Sequence, residues 1–199
     1  MQKTKWTPLS LTLGSLFVAL TAVGANITSI APFMVVGGVP ITLQTFFAIL
    51  AGTVLGSRLG AFSMFVYMML GLAGAPVFAQ FKGGVAITLF PTFGFILSFI
   101  LVAYVAGKIV ETKRTLPMYI TAALVAMATN YIFGTNWMYA AYLLWFDAPE
   151  GFTYKLAWLW MMVPLPKDII ISVIAGMLAY RLEKVTLIGS TISNQKKTA

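Results

Sequence analysis

Residues 161–182 read MMVPLPKDIIISVIAGMLAYRL, and the depth of the one acid in this stretch decides how the whole chain is read. From Arg181 back to Asp168 (181 − 168) is 13 residues, or roughly 20 Å of helix at 1.5 Å per residue. A hydrocarbon core is about 30 Å thick, so with Arg181 at one boundary Asp168 falls inside the membrane. Pro164 and Pro166 break a helix just before it, yet the chain there stays apolar. The span stops partway.

Composition supports the membrane setting. The chain of 199 residues is 60% hydrophobic and only 9% charged, and its apolar runs are longer than a soluble core helix needs. The expectation is an all-α integral membrane protein, one transmembrane domain over 1–199 with spans at 9–26, 43–57, 61–72, 92–110, 117–144 and 169–182. The first span follows a basic N-terminus without a small-residue cleavage site and is read as retained.

Charge orients these spans. With the N-terminus inside, Lys3, Lys5, Arg58, Lys108, Lys113, Arg114, Arg181, Lys184, Lys196 and Lys197 face inward, and Lys82, Lys155 and Lys167 face outward. The positive-inside rule demands such a skew. Glu111 and Glu183 fall inside, and Asp147, Glu150 and Asp168 outside, so the whole formal charge of +8 sits on the inner face. Both termini are expected in the cytoplasm and the protein in the cell membrane. Topology accounts for the basic charge, with no nucleic acid needed.

The third span also stops early. Arg58 to Gly71 (71 − 58) is 13 residues, again roughly 20 Å, before GLAGAP ends it. Irregular backbone at membrane depth is tolerated where protein buries it or where it lines a polar cavity, so two interruptions at one level predict a binding site on the outer side. Asn130, 16 residues from Arg114 (130 − 114), lies roughly 24 Å up, with Gly134 on the same helix face.

Each candidate carries a second reading. Asp168 contacts a ligand, or it neutralises Lys167 at the outer interface. Lys82 faces the pocket or snorkels to the surface. Asn130 meets a ligand or bonds a neighbouring helix. Gly83 and Gly84 in FKGG (81–84) allow close backbone approach and free amides for an oxyanion or carbonyl. Phe78, Phe81, Trp137, Tyr139, Trp158 and Trp160 clasp a flat apolar ligand or form the interfacial aromatic belt. On the first span Ser15 and Ala19, and Thr21 and Ala25, are small residues four apart, suited to a partner helix or to packing in the same bundle.

Several chemistries are excluded. The chain has no cysteine and no histidine, which removes disulfides, thiolate nucleophiles, imidazole bases and the usual zinc sets. It has no G-x-x-x-x-G-K-[ST] run, so it uses no nucleotide in the P-loop manner. Neither an inverted repeat nor a chain of buried acids marks it as a proton-coupled carrier. A pocket open to one side, on a chain with no engine, describes a capture subunit that needs a partner.

Four segments carry a resemblance: VPITLQTF (39–46), GLAGAPVFAQFKGG (71–84), PTFGFILSF (91–99) and PLPKDIIISVIA (164–175). In order and spacing they resemble the signature segments of the BioY family, the biotin-binding S components of energy-coupling factor (ECF) transporters. The resemblance implies the six-helix S-component fold, with outer loops capping a vitamin pocket. It also implies an energising module of two cytoplasmic ATPases and a transmembrane coupling protein, gripped partly through small residues on the first span. Catalytic residues, metals and cofactors are not implied for this chain, and ATP is used only by the partners. Asp168 takes the position of the substrate-contacting acid, and Lys82 that of a polar contact in the glycine-rich loop. The chain departs from the common pattern with Lys167 before the acid, Ile171 after it, and Gln80, Phe81 and Phe93 where glycine is frequent.

Biotin suits these residues chemically. Asp168 can accept from the ureido N–H groups, while Lys82, Asn130 or loop amides donate to the ureido carbonyl. The valerate carboxylate wants a cation, for which Lys167 and Lys82 are both candidates. Gln44 closes the site from the first outer loop, and Phe78 and Thr92 complete the expected set. Competing readings are a stand-alone facilitator or ion-coupled carrier and an S component for another vitamin. A membrane enzyme using Asp168 and Lys167 is disfavoured by the lack of a nucleophile or metal site.

Overall fold

Thr7 starts the first helix. Its Oγ1 accepts from the Ser10 amide at 3.2 Å, Ser10 Oγ accepts from the Thr7 amide at 2.7 Å, and Pro8 holds the first helical position. The computed structural model describes residues 7–27, 35, 36, 39, 40 and 42–197, with side chains over 7–27 and 42–185. The expectations for Lys3 and Lys5, for the side chains of Lys196 and Lys197, and for residue 41 and the side chains of 39 and 40 lie outside the described residues.

The helices are α1 (Pro8–Asn26), α2 (Gln44–Leu55), α3 (Ser57–Leu72), α4 (Phe93–Thr112), α5 (Leu116–Leu144), α6 (Tyr154–Met162) and α7 (Leu165–Lys197). A two-residue antiparallel ribbon, β1 (Val35–Val36) with β2 (Val39–Pro40), lies between α1 and α2. Two 3₁₀ turns, Ala79–Phe81 and Val85–Leu89, shape the connection from α3 to α4.

The all-helical membrane fold is as expected. By length and apolar composition α1, α4 and α5 can each cross a bilayer, α6 and α7 are together long and apolar enough to do so, bent by 56° at the break between them, and α2 and α3 are shorter apolar helices. Two boundaries move. The second and third helices are separated by Gly56 alone, whose φ of 85° reverses the chain where a side chain would strain it. The last span was expected to start at 169, but its helix starts at Leu165 and is preceded by α6, whose nine residues are too few to show a helical period.

α4 occupies the centre, packed against α5, α3 and α2. Its contact with α2 is backbone to backbone: a Cβ built on Gly52 would stand 2.1 Å from the Ala103 carbonyl oxygen. Buried Ala48, Ala51, Ala103 and Ala106 continue this close approach. Where α3 and α5 begin, two polar staples fix the helices. Glu111 Oε1 accepts from the Ser57 amide at 2.8 Å and its hydroxyl at 2.7 Å, capping α3 from the end of α4. Glu183 on α7 accepts from Arg114 and from the Tyr119 hydroxyl, tying α7 to the start of α5.

Candidate ligand-binding site

The break between α6 and α7 makes the polar wall of a cavity. Pro164 ends the path of α6, α7 turns away, and Asp168 lands in the first turn of α7, where exposed amides favour a negative charge. Both carboxylate oxygens are engaged. Oδ2 accepts from the Tyr131 hydroxyl at 2.6 Å, and Oδ1 pairs with Lys167 Nζ at 2.7 Å. Lys167 also donates to the Thr42 carbonyl at 3.1 Å, so the pair reaches the loop that enters α2. The expected neutralisation of Asp168 by Lys167 and its placement in the cavity wall are therefore both present.

The opposite wall comes from the connection after α3. Gln44 Nε2 donates to the Tyr67 hydroxyl at 2.8 Å, and that hydroxyl donates to the Val77 carbonyl at 2.8 Å. Gln44 Oε1 accepts from the Thr42 hydroxyl at 2.9 Å. Phe78 is buried edge-on against Tyr67, with ring centroids 5.6 Å apart. Lys82 Nζ lies 5.3 Å from the centroid of the Phe90 ring. The cavity, partly open to its surroundings, has a volume of about 310 Å³, within the size range of small-ligand sites.

Asp168, Lys167, Lys82, Gln44, Asn130, Phe78 and Thr92 all line this one cavity. Asn130 also makes the interhelical bond, donating to Ser98 Oγ at 2.6 Å. The two early-ending segments thus face each other, and the polar groups sit between mainly apolar walls that include Ile87, Phe95, Ile96, Phe99 and Met161.

The profile of the BioY family matches residues 1–187. The chain belongs to the BioY family. BioYB of Bacillus subtilis (strain 168) is 41% identical over 181 residues, covering 90% of each chain. Biotin transporter BioY of Thermotoga maritima is 33% identical over 171 residues, 85% of this chain and 93% of that one. The crystal structure of the S-component for biotin from an ECF-type ABC transporter superposes with a TM-score of 0.73 at 20% identity. It covers 90% of this chain and 95% of that chain, a likeness of fold.

Two expectations for this BioY chain change, and one pair of alternatives is narrowed. Gly83 and Gly84 do not line the cavity. The Gly84 amide is spent on the Gly71 carbonyl at 2.7 Å, and Gly83 is glycine because a Cβ there would stand 2.3 Å from the Ala75 carbonyl oxygen. Among the six aromatic candidates only Phe78 reaches the wall. Thr21 and Ala25 are fully buried, Thr21 bonding the Phe17 carbonyl, so this pair packs within the bundle, while Ser15 and Ala19 stay exposed.

The principal omissions in the sequence reading of this BioY chain are Tyr131, Met138 and Tyr142. Their spacings of seven and four residues place them on one face of α5. That stripe was a usable signal. It was obscured because all three are as ordinary in a helix core as in a pocket. Thr42, which holds Lys167 only through its backbone carbonyl, offered no such pattern.

Proposed function

We propose that this chain is the substrate-binding S component of an ECF transporter, capturing biotin at the outer side of the cell membrane for ATP-driven uptake by partner subunits. The observation that carries the reading is a cavity within a largely apolar bundle, with Asp168 held in its wall by Tyr131 and Lys167. Each carboxylate oxygen keeps acceptor capacity for a ureido N–H.

The two lysines separate by their partners. Lys167 is occupied by Asp168 and the Thr42 carbonyl, whereas Lys82 meets the face of Phe90. Lys82 is therefore assigned to the biotin carboxylate and Lys167 to holding the acid and the first outer loop. No cofactor is assigned to this chain. The energising module of coupling protein and two ATPases is gripped partly through the exposed Ser15 and Ala19 face of α1, which meets the transmembrane coupling protein, with both termini in the cytoplasm.

Calorimetric titration of the purified protein tests this, with biotin, biotin methyl ester, riboflavin and thiamine as ligands. Tight, selective binding of biotin, weakened in the ester, is expected. Selective binding of another vitamin would replace the ligand and keep the subunit type, and no binding by a folded sample would remove the capture reading.

A further inference from the structure

The loop that carries Lys82 holds an unusual backbone. Gln80 and Phe81 have φ of 62° and 54°, two consecutive non-glycine residues in the left-handed region, where Cβ crowds the following carbonyl. Such conformations persist only where the surroundings over-determine them. One tie is local: the Phe78 amide donates to the Lys82 carbonyl at 3.0 Å, closing the loop on itself. Another comes from far along the chain. The Phe81 amide donates to Asn26 Oδ1 at 2.6 Å, across 55 residues of sequence.

Asn26 is built for this bond. It is the last residue of α1 and is buried to 8% exposure. Its Nδ2 donates to the Ala22 carbonyl at 3.0 Å one turn below. That bond fixes the amide plane and turns the acceptor oxygen toward the loop. The acceptor meets a residue whose own side chain is 63% exposed, so the tie runs through the backbone and packing of the Phe81 ring contributes little. The flanking residues Phe78, Ala79, Gln80 and Lys82 all line the cavity.

We infer that Asn26 is a positioning residue for ligand binding: it holds the Gln80–Phe81 backbone in its left-handed turn and thereby sets Phe78 and Lys82 in the cavity wall. This rests on the biotin-capture reading above for its ligand. It places a determinant of affinity on α1, outside the cavity. Without the acceptor oxygen the turn relaxes toward ordinary φ, and the wall that carries Lys82 moves with it.

Amide hydrogen exchange and biotin titration on the intact, purified protein decide the matter together. In Asn26→Ala the Phe81 amide is expected to exchange at least tenfold faster, and biotin to bind at least tenfold more weakly. Asn26→Asp, which keeps an acceptor oxygen but loses the Nδ2 donor to the Ala22 carbonyl, is expected to fall between the parent and Asn26→Ala in both readouts. Adding Phe81→Gly to Asn26→Ala should recover at least threefold of the lost affinity, since glycine takes this region without the Cβ clash. A general loss of packing would not be rescued in that way. Wild-type affinity in Asn26→Ala, or a double variant as weak as the single one, overturns the inference. Absence of biotin binding by the parent protein sinks the capture reading instead, while Phe81 exchange still shows whether Asn26 holds the loop.

Discussion

The two ends of this bundle use polar residues in opposite ways. At the end away from the cavity Glu111 caps α3 through Ser57, and Glu183 gathers Arg114 and Tyr119, so these acids are consumed in joining helices. At the other end Asp168, Lys167, Gln44 and Lys82 line a cavity, and the bonds they make leave further donors and acceptors for a ligand. Where backbones touch, as at Gly52, there is no room for a cavity. Where α3 stops early and α6 bends into α7, there is. The same helices serve as a rigid base below and as the wall of a vessel above.

This contrast implies that substitutions away from the cavity change stability with little effect on affinity, and those around it the reverse. Gly52→Leu is expected to be the most damaging, at about 3 kcal/mol, the upper end for overpacking, because a Cβ there already meets the Ala103 carbonyl at 2.1 Å. Thermal unfolding in detergent measures it, and an unchanged midpoint would show that α2 and α4 can separate freely. Asp168→Asn should leave the melting behaviour nearly intact while weakening biotin binding by about 1.5–3 kcal/mol, the worth of a charged hydrogen bond. Calorimetry reads this directly, and equal affinity in the folded variant removes the acid from the site.

Glu111→Ala is smaller, about 1 kcal/mol of stability through loss of the α3 cap, with biotin affinity unaltered. A drop in affinity there would mean the two halves are coupled more tightly than their bonding suggests. Smallest is Lys108→Met, which removes a solvent-exposed i,i+3 pair with Glu111 at 3.4 Å and should cost only about 0.3 kcal/mol. A larger shift in the melting midpoint would show that Lys108 is needed to hold the Glu111 cap.

The site was legible where chemistry is costly in a membrane. Asp168, Lys167 and Lys82 stood out because charge is rare in an apolar chain, and the early ends of two spans placed them at one depth. Gln44 and Thr92 came with the signature segments. Gly83 and Gly84 were misassigned because a glycine needed for close packing on Ala75, or for a positive φ, looks in sequence like one freed for a ligand. The pair Thr21 and Ala25 shows the same ambiguity. Small residues four apart mark close approach and leave open which helix approaches.

The sequence by itself determined the membrane setting, the order of apolar helices and the candidate charged groups, because burying or exposing each residue type in lipid has a large and local cost. Only the tertiary structure decided the partners: that Tyr131 holds Asp168, that Lys167 is drawn to Thr42, and that Asn26 reaches the strained turn at Gln80 and Phe81. Those bonds join residues 37, 125 and 55 positions apart. Helical periodicity and propensity act over a few residues, so no local pattern records which distant groups the packed helices bring within hydrogen-bond reach.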